Sequence, residues 1–262
     1  MSRMILKWLA RTVAFSVAVL VAYLGLFYRG GHHAQIQSGL LGEERGFQVY
    51  LPASYDERAG SHYPVIYSLD GEKTRHGQLM AANARMLSAL VGTPEVILVA
   101  IYTHGHRTRD FAPNRGAEAF TAFLESELMP HIDGRFRTSG QNVISGHSCG
   151  GLYALYAFAE HPGLFDAHFA YVPSVFHYEP ILDHVGQRLK METGSNTHLY
   201  LVSGAESQEK FWRGFDGVIA RLTNNPNPGV SWKRAHAPLP HPLSMIPGQI
   251  MALRYLAAES SD

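Results

Sequence analysis

Residues 141–162 read QNVISGHSCGGLYALYAFAEHP, and no other segment limits the possible folds so strongly. A β-branched pair, Val143 and Ile144, leads into Gly146-His147-Ser148-Cys149-Gly150-Gly151, and a helical run follows at once. The order strand, G-x-S-x-G, helix displays a serine hydroxyl on a sharp turn at the end of a strand. A serine hydroxyl is a weak nucleophile, so it must stand where a base can reach it, and a crowded turn favours glycine on both flanks. The N-terminus of the following helix also favours negative charge developing beside Ser148. The competing reading, a glycine-rich turn around a buried serine, does not account for the strand-to-helix context.

Such a turn needs a sheet behind it, and the rest of the chain provides the pattern of one. Short apolar runs recur at 46–51, 64–69 (PVIYSL), 96–102 (VILVAIY), 142–145, 168–172, 198–203 (HLYLVS) and 229–234. Continuous apolar runs of this length suit strands buried on both faces. Between them, residues 116–132 place Ala117, Phe120, Phe123, Leu124 and Leu128 on one helical face, and residues 244–257 do the same with Ile246, Ile250, Leu253 and Ala257. The alternation predicts an α/β domain, a mostly parallel central sheet flanked by helices, with no internal repeat and no second domain.

The N-terminus has a different character. Residues 12–28, TVAFSVAVLVAYLGLFY, carry no charge and as a helix would span about 26 Å, close to a hydrocarbon core. Arg3, Lys7 and Arg11 precede the run while Arg29 alone closely follows it, which orients the N-terminus to the cytoplasm. We therefore expect one transmembrane helix at 1–30 as an uncleaved inner-membrane anchor, a tether at 31–42, and an enzyme-like domain at 43–262 in the periplasm. The alternative is a cleaved signal and secretion, against which RGGHHAQ after Tyr28 offers no small-x-small cleavage site. The 22 basic side chains are balanced by 22 acidic ones without a basic block, so a nucleic-acid partner is not expected. The single cysteine, Cys149, builds neither an internal disulfide nor a Cys-rich zinc site. His104-Gly105-His106 lacks a third ligand in the pattern, and no metal or cofactor is called for.

A displayed serine implies an oxyanion hole, a base and a group that orients the base. The turn itself offers the Cys149 N–H, and the second donor should follow the third strand of such a sheet, where the chain reads Asp70-Gly71-Glu72. Gly71 or Glu72 N–H fills that place, Glu72 being favoured because a glycine there can serve the backbone turn. The acid and then the histidine follow the serine in this arrangement. His241, in the expected loop between the last strand and the C-terminal helix, is the candidate base, with His236 as runner-up. Glu206, at the end of the run 198–203, is the candidate acid, with Glu209, Asp216 or a dyad without an acid as alternatives. Arg107, Arg109 and Asp110 follow a strand end and are candidates for contacting a polar or anionic substrate, although a local ion pair is an equal reading. His147, beside the serine, joins that group.

With these residues assembled, the chain resembles the esterase family of α/β-hydrolases that includes esterase D, siderophore esterases and the mycolyltransferases. The likeness covers 48–257 and rests on YPVIYSLDG (63–71), RTRDFAP (107–113), FTAFLESELMPHID (120–133), GHSCGG (146–151), PGLFD (162–166), VPS (172–174) and His241 ahead of LRYL (253–256). It implies the α/β-hydrolase fold, Ser148 as nucleophile and His241 as base, and it is most like the branch of periplasmic siderophore esterases, some of them anchored and working with a Ser-His dyad. The chain departs from the family in Ser148-Cys149-Gly150, where leucine is usual after the serine, and in Pro240-His241-Pro242. The expected activity is carboxylic-ester hydrolysis of a small-molecule substrate, an enterobactin-type trilactone among the possibilities. Acyl transfer to a sugar or lipid alcohol, or a non-catalytic binding module, are the alternatives.

Overall fold

The computed structural model describes residues 25, 27, 30–72, 76–103, 105–191, 196–206 and 208–259. Apart from Gly25 and Phe27, the apolar run expected to form the membrane anchor lies outside the described residues, and among these no helix is long and apolar enough to cross a membrane.

The chain begins with two strands, β1 (His32–Ser38) and β2 (Glu43–Tyr50), and continues through β3 (Tyr63–Ser68), α1 (His76–Val91) and β4 (Ile97–Ile101). Helices α2 (Arg107–Phe111) and α3 (Ala117–Phe123) follow, and α3 runs on through a π-helical turn (Leu124–Leu128) into α4 (Met129–Asp133). Then come β5 (Thr138–His147), α5 (Cys149–Glu160), β6 (Ala167–Tyr171), a 3-10 turn (Val175–His177) and α6 (Ile181–Arg188). The chain ends with β7 (Thr197–Gly204), α7 (Glu209–Asn224), β8 (Val230–Ala237) and α8 (His241–Glu259).

The eight strands form one sheet in the order β1-β2-β4-β3-β5-β6-β7-β8. β1 pairs with β2 and β2 with β4 in antiparallel fashion, and every later pair is parallel. Side chains alternate between two cores: Val65 and Tyr67 of β3 join Phe120, Leu152 and Val218 on one face, while Ile66 joins Met80, Leu253 and Leu256 on the other. Helices α1 and α8 cover that second face, and α3, α5, α6 and α7 cover the first, as a sheet buried on both sides requires.

One expectation fails at the start of the domain. Residues 32–38, expected within the tether, form the edge strand β1, in register with β2 from His32 opposite Val49 to Ser38 opposite Glu43. Ala34 and Ile36 pack on the core while the alternate residues face out; an edge strand half-exposed to water can be this polar.

Candidate active site

The carboxyl ends of the parallel strands carry the site. Where β5 stops, Ser148 takes φ +61° and ψ −114°, and α5 starts at the next residue. The need for Gly146 is steric: a Cβ there would sit 2.3 Å from Gly150 O. Gly150 is different, since its Cβ would meet Leu69 at 3.5 Å, an ordinary contact; the other tight position is Gly151, 2.9 Å from Tyr171 O. Crowding therefore falls on 146 and 151, whereas the G-x-S-x-G spacing points to 146 and 150.

Cys149 opens α5, so its N–H belongs to the first turn, where amides have no partner within the helix. The Gly71 N–H donates to Ile101 O at 2.8 Å. That bond commits the Gly71 amide elsewhere and leaves the Glu72 N–H as the candidate donor of the pair. Gly71 is there for clearance, because a Cβ would lie 2.6 Å from the Ala100 carbonyl carbon. The Glu72 carboxylate, for its part, accepts from Thr103 N at 2.8 Å and Thr103 Oγ1 at 2.6 Å, tying the turn after β3 to the end of β4.

His241 begins α8 and does not lie in a preceding loop. Pro242 occupies the first turn, where a missing N–H costs nothing. The His241 Nδ1 lies 3.0 Å from Glu206 Oε1, and the His241 ring is held between His147 at 4.6 Å and Phe211 at 4.8 Å, centroid to centroid. Glu206 is 7% exposed and His241 28%, so the acid is enclosed and the imidazole reachable. With Nδ1–H committed to the carboxylate, Nε2 is left as the basic nitrogen. The Ser148 and Ser174 hydroxyls are in hydrogen-bond contact at 3.0 Å; no hydrogen bond joins Ser148 to His241 among the described residues. The alternatives sit elsewhere: His236 is exposed on β8 with Nδ1 3.0 Å from Ser203 Oγ, and Glu209 and Asp216 lie in α7.

The proposed substrate contacts fare unevenly. Arg107 Nε reaches Asp70 Oδ1 at 2.8 Å and Oδ2 at 2.7 Å, and its NH2 donates to His147 O at 2.9 Å. It braces the elbow against the turn after β3. Arg109 bonds Asp110 and Glu43, and Asp110, fully buried, also accepts from buried Arg45 at 2.6 Å. Arg109 and Asp110 are thus drawn into a network toward β2 and not presented to a substrate, because a buried charge must be paired. His147 is 9% exposed, and burial, helped by coulombic repulsion from His241, His76 and Arg107, pushes its pKa down to about 3. It is a neutral floor under His241. Its Nε2 is buried without a hydrogen-bond partner among the described residues. His106 lies 3.4 Å from Glu43, and His104 is outside the described residues.

A cleft of about 150 Å³ opens beside Cys149, with Phe111 and Leu152 as apolar lining and Thr108, Asn114, Arg115 and His177 as polar lining. The His177 pKa is lowered, first by burial and then by the nearby charges of Lys210 and Arg107. Phe211 and Ser174 were not singled out from the sequence as site residues. Ser174 follows the run 168–172, and only the sheet order, which puts β6 next to β5, brings it to Ser148.

The model of the family described as "Putative esterase" matches residues 38–218. The siderophore triacetylfusarinine C esterase of Aspergillus fumigatus is 27% identical over 154 residues, covering 52% of this chain and 53% of that protein. The ferri-bacillibactin esterase BesA of Bacillus subtilis is 27% identical over 168 residues, 53% of this chain and 57% of that protein. The chain thus spans about half the length of these curated relatives. The crystal structure of an IroE-like serine hydrolase from Shewanella oneidensis superposes with a TM-score of 0.80 at 26% identity, covering 87% of this chain and 80% of that one.

Proposed function

The chain belongs to the Putative esterase family, and from that membership we propose that it hydrolyses carboxylic esters through an acyl-enzyme on Ser148. The observation that carries the proposal is Ser148 raised on a φ +61° elbow whose preceding residue, His147, packs against the His241 imidazole that is tied to Glu206.

In the first half-reaction His241 Nε2 takes the Ser148 proton as Oγ bonds to the ester carbonyl carbon, and the N–H groups of Cys149 and Glu72 receive the oxyanion. His241 then returns the proton to the departing alcohol. In the second, His241 draws a proton from water, hydroxide adds to the acyl carbon, and Ser148 leaves with the proton restored to its oxygen. Glu206 keeps Nδ1 protonated and supports the imidazolium while it lasts.

For the substrate, a siderophore of the enterobactin type, a trilactone, is the finer reading. It is supported by two relatives named for siderophore esters and by a cleft that combines aromatic and aliphatic walls with Arg115, Asn114 and His177. The location we propose is the periplasmic face of the inner membrane, held by residues 1–30; the uncharged run 12–28 behind Arg3, Lys7 and Arg11 supports it.

The test uses the full chain. A fluorophosphonate is expected to label Ser148, and ferric and iron-free triscatecholate trilactones are expected to yield linear products by chromatography. Ser148→Ala and His241→Ala should each lose about a thousandfold or more in kcat. Folded protein that takes no label would overturn the serine mechanism. Labelling without trilactone opening would overturn the substrate alone.

A further inference from the structure

Among the described residues, three other than glycine hold positive φ: Asp70 at +56°, Ser148 at +61° and Val172 at +44°. They lie just past the carboxyl ends of β3, β5 and β6, neighbours in the sheet, so the strained positions converge on one place. Val172 is the most telling. A β-branched side chain at such φ is a genuine outlier, sustained only where the surroundings over-determine it. Here the Val172 N–H donates to Val202 O at 2.7 Å, the side chain is buried, and Pro173 follows.

What the strained turn positions is Ser174. Its N–H donates to Ser148 O at 3.0 Å, while the Ser148 N–H donates to Tyr171 O at 2.9 Å, so the two turns are joined through both backbones. The Ser174 side chain is 1% exposed, and its hydroxyl meets the Ser148 hydroxyl at 3.0 Å. A buried hydroxyl needs a partner, and among the described residues that partner is Ser148 Oγ.

We propose that Ser174 is a positioning residue whose hydroxyl donates to Ser148 Oγ, leaving the Ser148 proton for His241 and fixing which lone pair faces the ester. This rests on the esterase reading of Ser148. Two hydroxyls in contact can share only one proton between them, and the direction matters: a Ser148 that donated to Ser174 could not give the same proton to His241. With Ser174 as donor, the Ser148 O–H is free to turn to Nε2, which the Glu206 contact leaves basic. Ser174 keeps its own proton throughout. The bond that forms is Oγ to acyl carbon, and the proton that moves goes from Ser148 to His241. In the second half-reaction the same donor steadies the Ser148 oxygen as it leaves.

The experiment compares the full wild-type chain with Ser174→Ala and Ser174→Thr. The alanine change removes one oxygen without adding volume, so the variant folds, as thermal melting will show. Expected for alanine is a fall of about tenfold in kcat on p-nitrophenyl acetate and in the rate of fluorophosphonate labelling, with KM within about twofold. Threonine, which keeps the donor, should recover most of that loss. Wild-type kcat and labelling rate in the alanine variant would overturn the proposal, as would a loss confined to KM. A threonine variant that melts like wild type yet matches alanine in kcat would also overturn it. If the wild-type chain itself takes no label, the esterase reading fails first; if it labels and alanine changes nothing, only this inference fails.

Discussion

Glu206 determines how strong a base His241 can be, and the test is a substitution that keeps its shape. Glu206→Gln leaves an amide where a carboxylate now accepts from Nδ1 at 3.0 Å, so the imidazole loses both its fixed tautomer and the support for its charge. A loss of about a thousandfold in kcat is expected, against less than tenfold if His241 works as a dyad with the serine. The glycines offer a second test. Gly146→Ala drives a methyl into the Gly150 backbone at 2.3 Å, where no side chain can move aside, and should cost about 3 kcal/mol by urea denaturation. Gly150→Ala meets Leu69 at 3.5 Å and Asp70 Oδ2 at 3.8 Å, both ordinary contacts, and should cost far less. Equal losses would show that backbone clearance is not what selects glycine here. Ser148 was legible in the sequence because its demands are local: a strand, a turn and a helix within a few residues. The role of Gly150 was misjudged because clearance depends on which atoms from other elements fill the space, and a spacing pattern does not carry that.

At the scale of elements, the central strands were readable because burial on both faces leaves a continuous apolar run, and β1 was not, because an edge strand can remain polar. HHAQIQS alternates weakly, with Ala34 and Ile36 its only inward apolar groups. The pairing predicts a contrast between truncations. Removing residues 1–30 leaves β1 in place and should leave the melting temperature unchanged, whereas removing 1–42 uncovers β2, lowers the melting temperature and exposes a pairing edge that favours aggregation, readable by light scattering. Equal melting of the two would mean that β1 adds nothing to the domain. The helix start belongs to the same scale. His241 was expected in a loop, and α8 begins with it because Pro242 can occupy a first turn; this sets the imidazole on a rigid element with Phe211 of α7 against one face.

Over the whole molecule, two deeply buried histidines, the most strongly shifted of the described ones, make stability depend on pH. Burial pushes both His147 and His168 down to about 3, and His168 lies between the ring edges of Phe158 and Phe165. An unfolded chain binds a proton at each near pH 6.5, while the folded chain does not until near pH 3. Stability from keeping them neutral is therefore fully present above pH 6.5 and falls as the pH drops through that window, by about 1.4 kcal/mol per pH unit for each histidine. His168→Phe should flatten the dependence by about that amount between pH 6 and pH 4 in urea titrations. An unchanged slope would show that His168 is protonated in the folded state.

The sequence by itself determined the α/β alternation, the elbow and the identity of its serine, because each follows from the hydrophobic period and the backbone demands of a few consecutive residues. It also placed Glu206 and His241 in chain order, through the constraint that strand ends face one side of a parallel sheet. Only the tertiary structure decided that Glu206 meets His241, that Arg109 and Asp110 turn away into a buried ion network, that Gly71 spends its amide on Ile101, and that Ser174 faces the nucleophile. Those outcomes depend on which strands become neighbours and on which polar group lies nearest when water is excluded. Both are properties of residues far apart in the chain, and they arise only once the sheet has closed its order.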